Sequence, residues 1–188
     1  MKDKLLVHAC CAPCLVAVYE DIEQNLEEYN LTDISDMDVV WYNINIHPKA
    51  EYIKRKETLK EFLDMKQKEG IYLDEYDLIS WSKQALDYSN QGYRMRCEYC
   101  YTSRLEQVFK YAKENGYTKV TTTLLISPYQ KHDIICEVCE KLAKKYDVGF
   151  MYKDFRKMFW DGQHRAKDLG LYRQKYCGCI FSIDEGGK

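Results

Sequence analysis

Short strand-like segments alternate with helix-like segments along most of this chain. Runs rich in β-branched and aromatic residues lie at 5–7, 39–44, 71–73, 119–126 and 148–152. Helical patterns fill 15–29, 47–70, 101–115 and 132–146, whereas 81–96 is poorly patterned. This rhythm predicts an α/β fold with a mostly parallel sheet flanked by helices, a Rossmann-like sandwich. No repeat or linker interrupts the pattern, so we expect a single domain over residues 1–188.

The chain has nine cysteines in 188 residues. An odd number argues against a complete disulfide framework, and a core of this size does not need one. The cysteines fall into four groups with spacings C-C-x2-C, C-x2-C, C-x2-C and C-x-C. These spacings indicate metal or redox chemistry in a reducing compartment.

The first two groups are the strongest metal-binding candidates. Cys10, Cys11 and Cys14 follow the first predicted strand, and ligands bind beyond strand C-termini in open α/β sheets. Together with Cys97 and Cys100 they can form a site for zinc or for an iron–sulfur cluster. The long separation of the two groups predicts a site assembled between elements of a finished fold.

The other two groups differ from each other. Cys136 and Cys139 lie in a helical pattern of apolar residues, which predicts core packing. Cys177-Gly178-Cys179 lies close to the C-terminus, and a disulfide across so small a loop would be strained and easily reduced. A redox-active dithiol and a further pair of metal ligands both remain open for Cys177 and Cys179.

Charge is distributed unevenly, although the net charge is only −2. Residues 19–38 contain eight acids and no Lys or Arg, whereas residues 153–176 contain seven bases and three acids. One end can therefore face a polyanion while the other repels it, or both are solvated helix faces. No apolar stretch reaches the length needed to span a membrane, so we expect a cytoplasmic protein without a membrane partner.

Several motifs occur together in a specific order. They are His8-Ala9-Cys10-Cys11-Ala12-Pro13-Cys14, Tyr42-Asn43-Ile44-Asn45-Ile46-His47-Pro48, Cys97-Glu98-Tyr99-Cys100-Tyr101 with Arg104-Leu105-Glu106, Thr121-Thr122-Thr123-Leu124-Leu125-Ile126-Ser127-Pro128-Tyr129 and Tyr172-Arg173-Gln174-Lys175-Tyr176-Cys177-Gly178-Cys179. From about residue 5 to 182 the chain thereby resembles the QueH-type epoxyqueuosine reductases.

The resemblance implies a HUP-type sandwich and a cobalamin-independent, two-electron reduction of epoxyqueuosine to queuosine at the wobble position of tRNA. This is the last step of queuosine biosynthesis. It implies that a [4Fe-4S] cluster is held by four cysteines, Cys10, Cys11, Cys97 and Cys100. Cys177 and Cys179 would be a redox-active disulfide. An additional iron is implied, for which Cys14 and His8 are candidates, and an external electron donor is needed.

Two other functions compete with this interpretation. An ATP-using PP-loop enzyme needs a glycine-rich phosphate loop after the first strand, where this chain has cysteines and Pro13. A zinc-stabilised RNA-binding module would be colourless. For tRNA binding we expect the bases of the C-terminal third to act with Arg94, Arg96 and Arg104.

Overall fold

The sheet is built as the sequence predicts, with every strand parallel to its neighbours. In the computed structural model, residues 2–73 and 76–184 are described. The strands are β1 (Leu5–His8), β2 (Met37–Trp41), β3 (Gly70–Tyr72), β4 (Lys119–Thr122) and β5 (Gly149–Phe150). Their spatial order is β3-β2-β1-β4-β5, and β1 pairs with β2 and β4 in parallel register. This confirms the α/β class and places β1 at the centre.

Helices cover the sheet. They are α1 (Ala12–Gln24), α2 (Lys49–Met65), α3 (Leu78–Ser89), α4 (Tyr93–Glu114), α5 (His132–Tyr146), α6 (Phe159–Asp168) and α7 (Ile180–Asp184). Short 3-10 helices lie at Ile34–Asp36, Thr123–Ile126 and Arg156–Met158. Within the described ranges, none of these helices combines the length and the apolar character that a bilayer crossing needs.

The helical region before Cys97 is where the sequence prediction was wrong. The expected helix starts at Tyr101, but α4 begins at Tyr93, and α3 occupies much of the poorly patterned region. The first turns of α4 carry Arg94, Arg96 and Cys97 in place of apolar residues, so the helical periodicity is hidden there. The second C-x2-C pair consequently lies within a helix and not in a loop before one.

The acidic and basic segments lie side by side, which argues against the alternative in which one end of the molecule faces a polyanion while the other end repels it. Helix α6 packs on α1 at Gly162, where an added Cβ would lie 3.0 Å from Ala17. Lys153 reaches Asp21 at 2.7 Å and Glu28 at 2.9 Å, and Arg165 reaches Glu20 at 3.2 Å. The basic segment thereby neutralises part of the acidic one within the same molecule.

Candidate functional site

Seven of the nine cysteines line one cavity of about 610 Å³. They are Cys10, Cys11, Cys14, Cys97, Cys100, Cys177 and Cys179. The cavity lies beyond the C-terminal ends of β1 and β4, the edge at which open α/β sheets bind ligands. The remaining pair lies elsewhere: Cys139 is fully buried in the core and Cys136 packs against it, which confirms their predicted core role.

The turn between β1 and α1 brings three thiols together. The sulfur atoms of Cys10, Cys11 and Cys14 all lie within 4.8 Å of one another, a spacing at which they can hold a metal. Cys11 is the extended N-cap residue of α1, and Pro13 occupies the first turn. Thr123, just beyond β4, fixes Cys10: its hydroxyl accepts the Cys10 N–H at 2.9 Å and donates to the Cys10 sulfur at 3.1 Å.

These three thiols have unequal acidities. Hydrogen bonds from Cys11 and Cys14 hold the pKa of Cys10 well below its usual range, and the positive charge of Arg104 acts in the same direction. Burial raises the pKa of Cys11, and hydrogen bonds to Cys10 and Cys11 raise that of Cys14. The three thiols therefore favour a state in which Cys10 is the thiolate and Cys11 and Cys14 stay protonated. A metal bound by all three sulfur atoms would displace the protons of Cys11 and Cys14.

Helix α4 presents its functional side chains along one face. Cys97, Cys100, Tyr101 and Arg104 are spaced i, i+3, i+4 and i+7, and all four line the cavity. Burial raises the pKa of Cys100 to about 12, although the neighbouring Arg104 acts in the opposite direction. A metal or another cation is needed to keep Cys100 as a thiolate at neutral pH.

Arg104 connects this helix to the first cysteine turn. It is only 4% exposed, and its guanidinium donates to the side-chain oxygen of Asn43. The amide nitrogen of Asn43 in turn donates to the carbonyl of Ala9 at 2.9 Å. A buried arginine thus positions the chain immediately before Cys10 through one intermediate side chain.

His8 does not offer a free nitrogen to a metal. Its Nδ1 lies 2.9 Å from the Thr122 hydroxyl and its Nε2 lies 3.2 Å from the Tyr42 carbonyl. Burial, together with Arg104, lowers its pKa to about 3, so the ring is neutral. We therefore leave His8 out of the ligand set, and Cys14 remains the candidate beside the first two cysteines.

The C-terminal segment closes the cavity. Gln174 donates to the Cys11 sulfur at 2.7 Å, and Arg55 donates to the carbonyls of Tyr176 at 3.0 Å and Cys177 at 3.2 Å. Cys177 is exposed, whereas Cys179 is 8% exposed and packs with Cys100 and Trp81. All nine cysteines are free thiols in the structure.

The sequence analysis assigned no role to Asn45 and Gln174, and it placed Arg104 only among the expected tRNA contacts. Asn45 Oδ1, Arg104 Nε and Gln174 Oε1 are buried and have no hydrogen-bond partner among the described residues. Asn45 and Gln174 occur in the motifs quoted above, but a motif does not show which amide points inward. Unpartnered polar atoms in a cavity wall fit a site that binds a polar ligand.

The arginines expected to contact tRNA have other roles. Arg94 pairs with Asp133 at 2.8 Å and Glu137 at 2.9 Å. Arg96 packs over the ring of Phe181 and is 9% exposed. Arg96 and buried Arg104 thus belong to the cavity wall, and Arg94 forms an exposed ion pair, so the contact of these three arginines with tRNA stays a prediction.

Comparison with known proteins gives one consistent result. A family model described as "Epoxyqueuosine reductase QueH" matches residues 5–185. A protein of that name from Dehalococcoides mccartyi is 37% identical over 183 residues, covering 97% of this chain and 93% of its own length. Those from Thermotoga maritima and Staphylococcus aureus are 33% and 31% identical, covering 96% and 100% of this chain and 91% and 78% of their own lengths.

Proposed function

The chain belongs to the QueH family of epoxyqueuosine reductases, and from that premise we propose that its reaction takes place in the cysteine-lined cavity. It is an oxidoreductase of tRNA processing that reduces epoxyqueuosine in queuosine biosynthesis. The observation that carries the location is the convergence of seven cysteines, from three separate segments of the chain, on one cavity at the sheet's C-terminal edge.

We assign a [4Fe-4S] cluster to Cys10, Cys11, Cys97 and Cys100. Support comes from the burial of the first motif, from the common face of the α4 pair and from the shared cavity. Cys14 completes the thiol triad and is the candidate for the additional iron. When bound, the cluster would supply electrons one at a time, and its potential would depend on hydrogen bonds to sulfur such as that from Gln174 to Cys11.

Removing an epoxide oxygen to leave an alkene takes two electrons and two protons and releases water. Cys177 and Cys179 supply the two electrons and the two protons when they are oxidised from a dithiol to a disulfide, which an external donor then reduces. The unpartnered Nε of Arg104 can donate to the departing oxygen, and the free amide oxygens of Asn45 and Gln174 can accept from substrate hydroxyls.

The decisive experiment is anaerobic purification followed by a visible spectrum and by iron and sulfide analysis. Cys→Ala at Cys10, Cys11, Cys97 or Cys100 should lower bound iron and bleach the chromophore. Cys136→Ala is the matched control, because that thiol lies outside the cavity. Full cluster occupancy in Cys97→Ala contradicts the ligand set, and a colourless zinc protein contradicts the cluster.

The redox pair has its own test. Cys177→Ser and Cys179→Ser should keep the cluster spectrum and tRNA affinity but lose multiple-turnover activity. Normal turnover of either variant with a one-electron donor removes the redox role. Loss of one iron per chain with the cluster retained assigns the residue to the additional iron instead.

The substrate tRNA requires a basic surface. Lys167 and Arg173 are exposed and form no ion pair among the described residues, unlike the paired Arg165. We expect the double variant Lys167→Ala/Arg173→Ala to bind tRNA more weakly. The slope of log K against the logarithm of the salt concentration should become shallower by about 1 for each lost phosphate contact. Arg165→Ala serves as the control. An unchanged salt dependence in the double variant would show that Lys167 and Arg173 face solvent and do not contact tRNA phosphates.

A further inference from the structure

The mouth of the cavity has a different chemical character from its floor. Thiols form the floor, where Cys11 is 1% and Cys14 4% exposed. Aromatic side chains form the mouth, where Tyr93 is 62% and Tyr129 50% exposed. Large apolar rings left open to water around a deep cavity mark a binding surface.

These aromatic residues contact one another or a neighbouring cation. The rings of Tyr129 and Phe159 meet edge to face at 5.8 Å, and the ring of Phe159 lies 5.1 Å from that of Trp160, which is 61% exposed and continues this surface outside the cavity lining. The ammonium of Lys131, two residues after Tyr129, lies 5.4 Å from the ring of Tyr93. We call Tyr93, Tyr129, Phe159 and Trp160 the aromatic rim.

The aromatic rim is tied to the helix that carries the thiols. The hydroxyl of Tyr101, the residue after Cys100, donates to Gln130 Oε1 at 2.7 Å and accepts the Lys131 N–H at 3.1 Å. Because Tyr129 directly precedes these two residues, its loop is held in a defined place relative to the cavity floor. A preorganised surface loses less entropy when it binds a flexible ligand.

The charge at the mouth complements a polyanion. Lys131 and Lys175 line the cavity, and neither forms an ion pair with any residue in the described ranges. Nearby Arg94 contrasts with them, since Asp133 and Glu137 already neutralise it. Two uncompensated ammonium groups beside exposed rings are the combination that binds single-stranded nucleic acid.

We propose that the aromatic rim stacks the unpaired nucleotides that flank the modified nucleoside in the tRNA loop, while Lys131 and Lys175 contact their phosphates. This inference rests on the proposed function. To reach thiols at the cavity floor, the reacting nucleoside has to leave the stack of its neighbours. The rim replaces the lost stacking with protein rings and tolerates any base, because every base has a π-face.

The test measures how tightly the anaerobically purified protein binds a stem–loop RNA that carries the modified nucleoside, by fluorescence anisotropy. Tyr129→Ala and Trp160→Ala are each expected to weaken binding roughly 5- to 150-fold. Tyr129→Phe keeps the ring and the affinity, whereas Tyr129→Leu keeps apolar bulk and loses affinity. Trp160 also reports directly, because Trp41 and Trp81 are buried and RNA should quench only the exposed indole.

Tyr111→Ala is the matched control. Tyr111 lies on the same helix as Tyr93 but roughly 27 Å away along its axis. The inference is overturned if the double variant Tyr129→Ala/Trp160→Ala binds within twofold of wild type, or if Tyr111→Ala weakens binding equally. Unchanged RNA affinity with lost turnover overturns it too, and assigns the rim to a protein electron donor.

Iron content and the visible spectrum of the same samples keep the two proposals separate. Ring-dependent RNA binding by a protein without iron rejects the cluster and supports the rim. A full cluster in a protein whose RNA affinity ignores the rim supports the cluster and rejects the rim.

Discussion

Helices α4 and α5 each carry a C-x2-C pair, yet only one pair faces the cavity. Cys97 and Cys100 line it, whereas Cys139 lies in the core with Cys136 packed beside it. Both pairs have the same i, i+3 geometry, and the two helices pack against each other. Spacing therefore brings two thiols to one helix face, but the neighbours of that face decide whether they form a site.

The residues that continue each face show the difference. Four positions after Cys100 comes Arg104, which bonds to Asn43 and lowers the pKa of Cys10. The corresponding residue four positions after Cys139 is Ala143, which packs against the core. Against the effect of burial, the charge of buried Arg104 acts to lower the pKa of Cys100 on α4. On α5 burial raises the pKa of Cys136, and the carboxylate of Glu140 raises it more than the charge of Arg156 lowers it.

The largest predicted effect is a difference in iron content between variants of the two cysteine pairs. Cys100→Ala should reduce bound iron and activity to background, because it removes one of the four proposed cluster ligands. Cys139→Ala should retain iron and cost about 1 kcal/mol of stability through a small cavity. Iron analysis and urea unfolding measure both, and equal iron loss in the two variants would remove the distinction.

A second prediction concerns Arg104, the residue by which the cysteine face of α4 differs from that of α5. Arg104→Met removes a charge-assisted hydrogen bond and leaves the Asn43 oxygen buried without its donor. We expect a loss of about 1.5–3 kcal/mol in the free energy of unfolding. Arg94→Met is the control on the same helix, since an exposed ion pair contributes at most about 1 kcal/mol. Equal losses would show that Arg104 has no special structural role.

A third prediction addresses the segment that covers Cys100. Gly178 has a φ of +106°, and an added Cβ would lie 3.0 Å from Ile46 Cγ1 and 3.1 Å from Arg55 Nη1. Gly178→Ala should destabilise the protein by about 1–2 kcal/mol and displace Cys179 from Cys100. Gly116→Ala separates strain from crowding, because Gly116 has a φ of +73° but open space around it. The Gly178 variant should melt at the lower temperature.

The smallest predicted effect concerns the reactivity of Cys136. Burial and then the carboxylate of Glu140 raise the pKa of this thiol above its usual value. Its thiolate fraction at pH 8 is therefore lower than that of a free thiol, and its alkylation should be slower and should accelerate as the pH rises through and beyond 9. Glu140→Gln should increase the rate about twofold at pH 8. Mass spectrometry of iodoacetamide-treated protein measures this rate, and an unchanged rate would show that Glu140 does not contribute and would leave burial and the weaker effects of Asp154 and Asp133.

The sequence predicted the order of strands and helices along the chain better than it predicted the geometry of the site. Apolar β-branched runs locate β1, β2 and β4, because burial on both faces of a parallel sheet demands them. The start of α4 escaped prediction because its cavity-facing side chains are polar or thiol. Hydrophobic periodicity identifies only the residues of a helix that face the core. Residues that face a cavity are polar or thiol here, so they do not follow that periodicity.

Long-range partners were out of reach for a related reason. The pairing of Lys153 with Asp21, and the two hydrogen bonds that occupy the His8 ring, arise from elements far apart in the sequence. Each depends on how α1 and β1 pack with their neighbours. A local pattern contains the chemical groups but not the packing that pairs them.

The way Arg55 holds the C-terminal segment has a consequence for catalysis. Its guanidinium binds the main-chain carbonyls of Tyr176 and Cys177, and the His47 N–H binds that of Gly178 at 2.8 Å. Main-chain anchoring is indifferent to what happens at sulfur. If Cys177 is the redox thiol proposed above, its side chain can change oxidation state repeatedly while these main-chain hydrogen bonds hold the C-terminal segment in place.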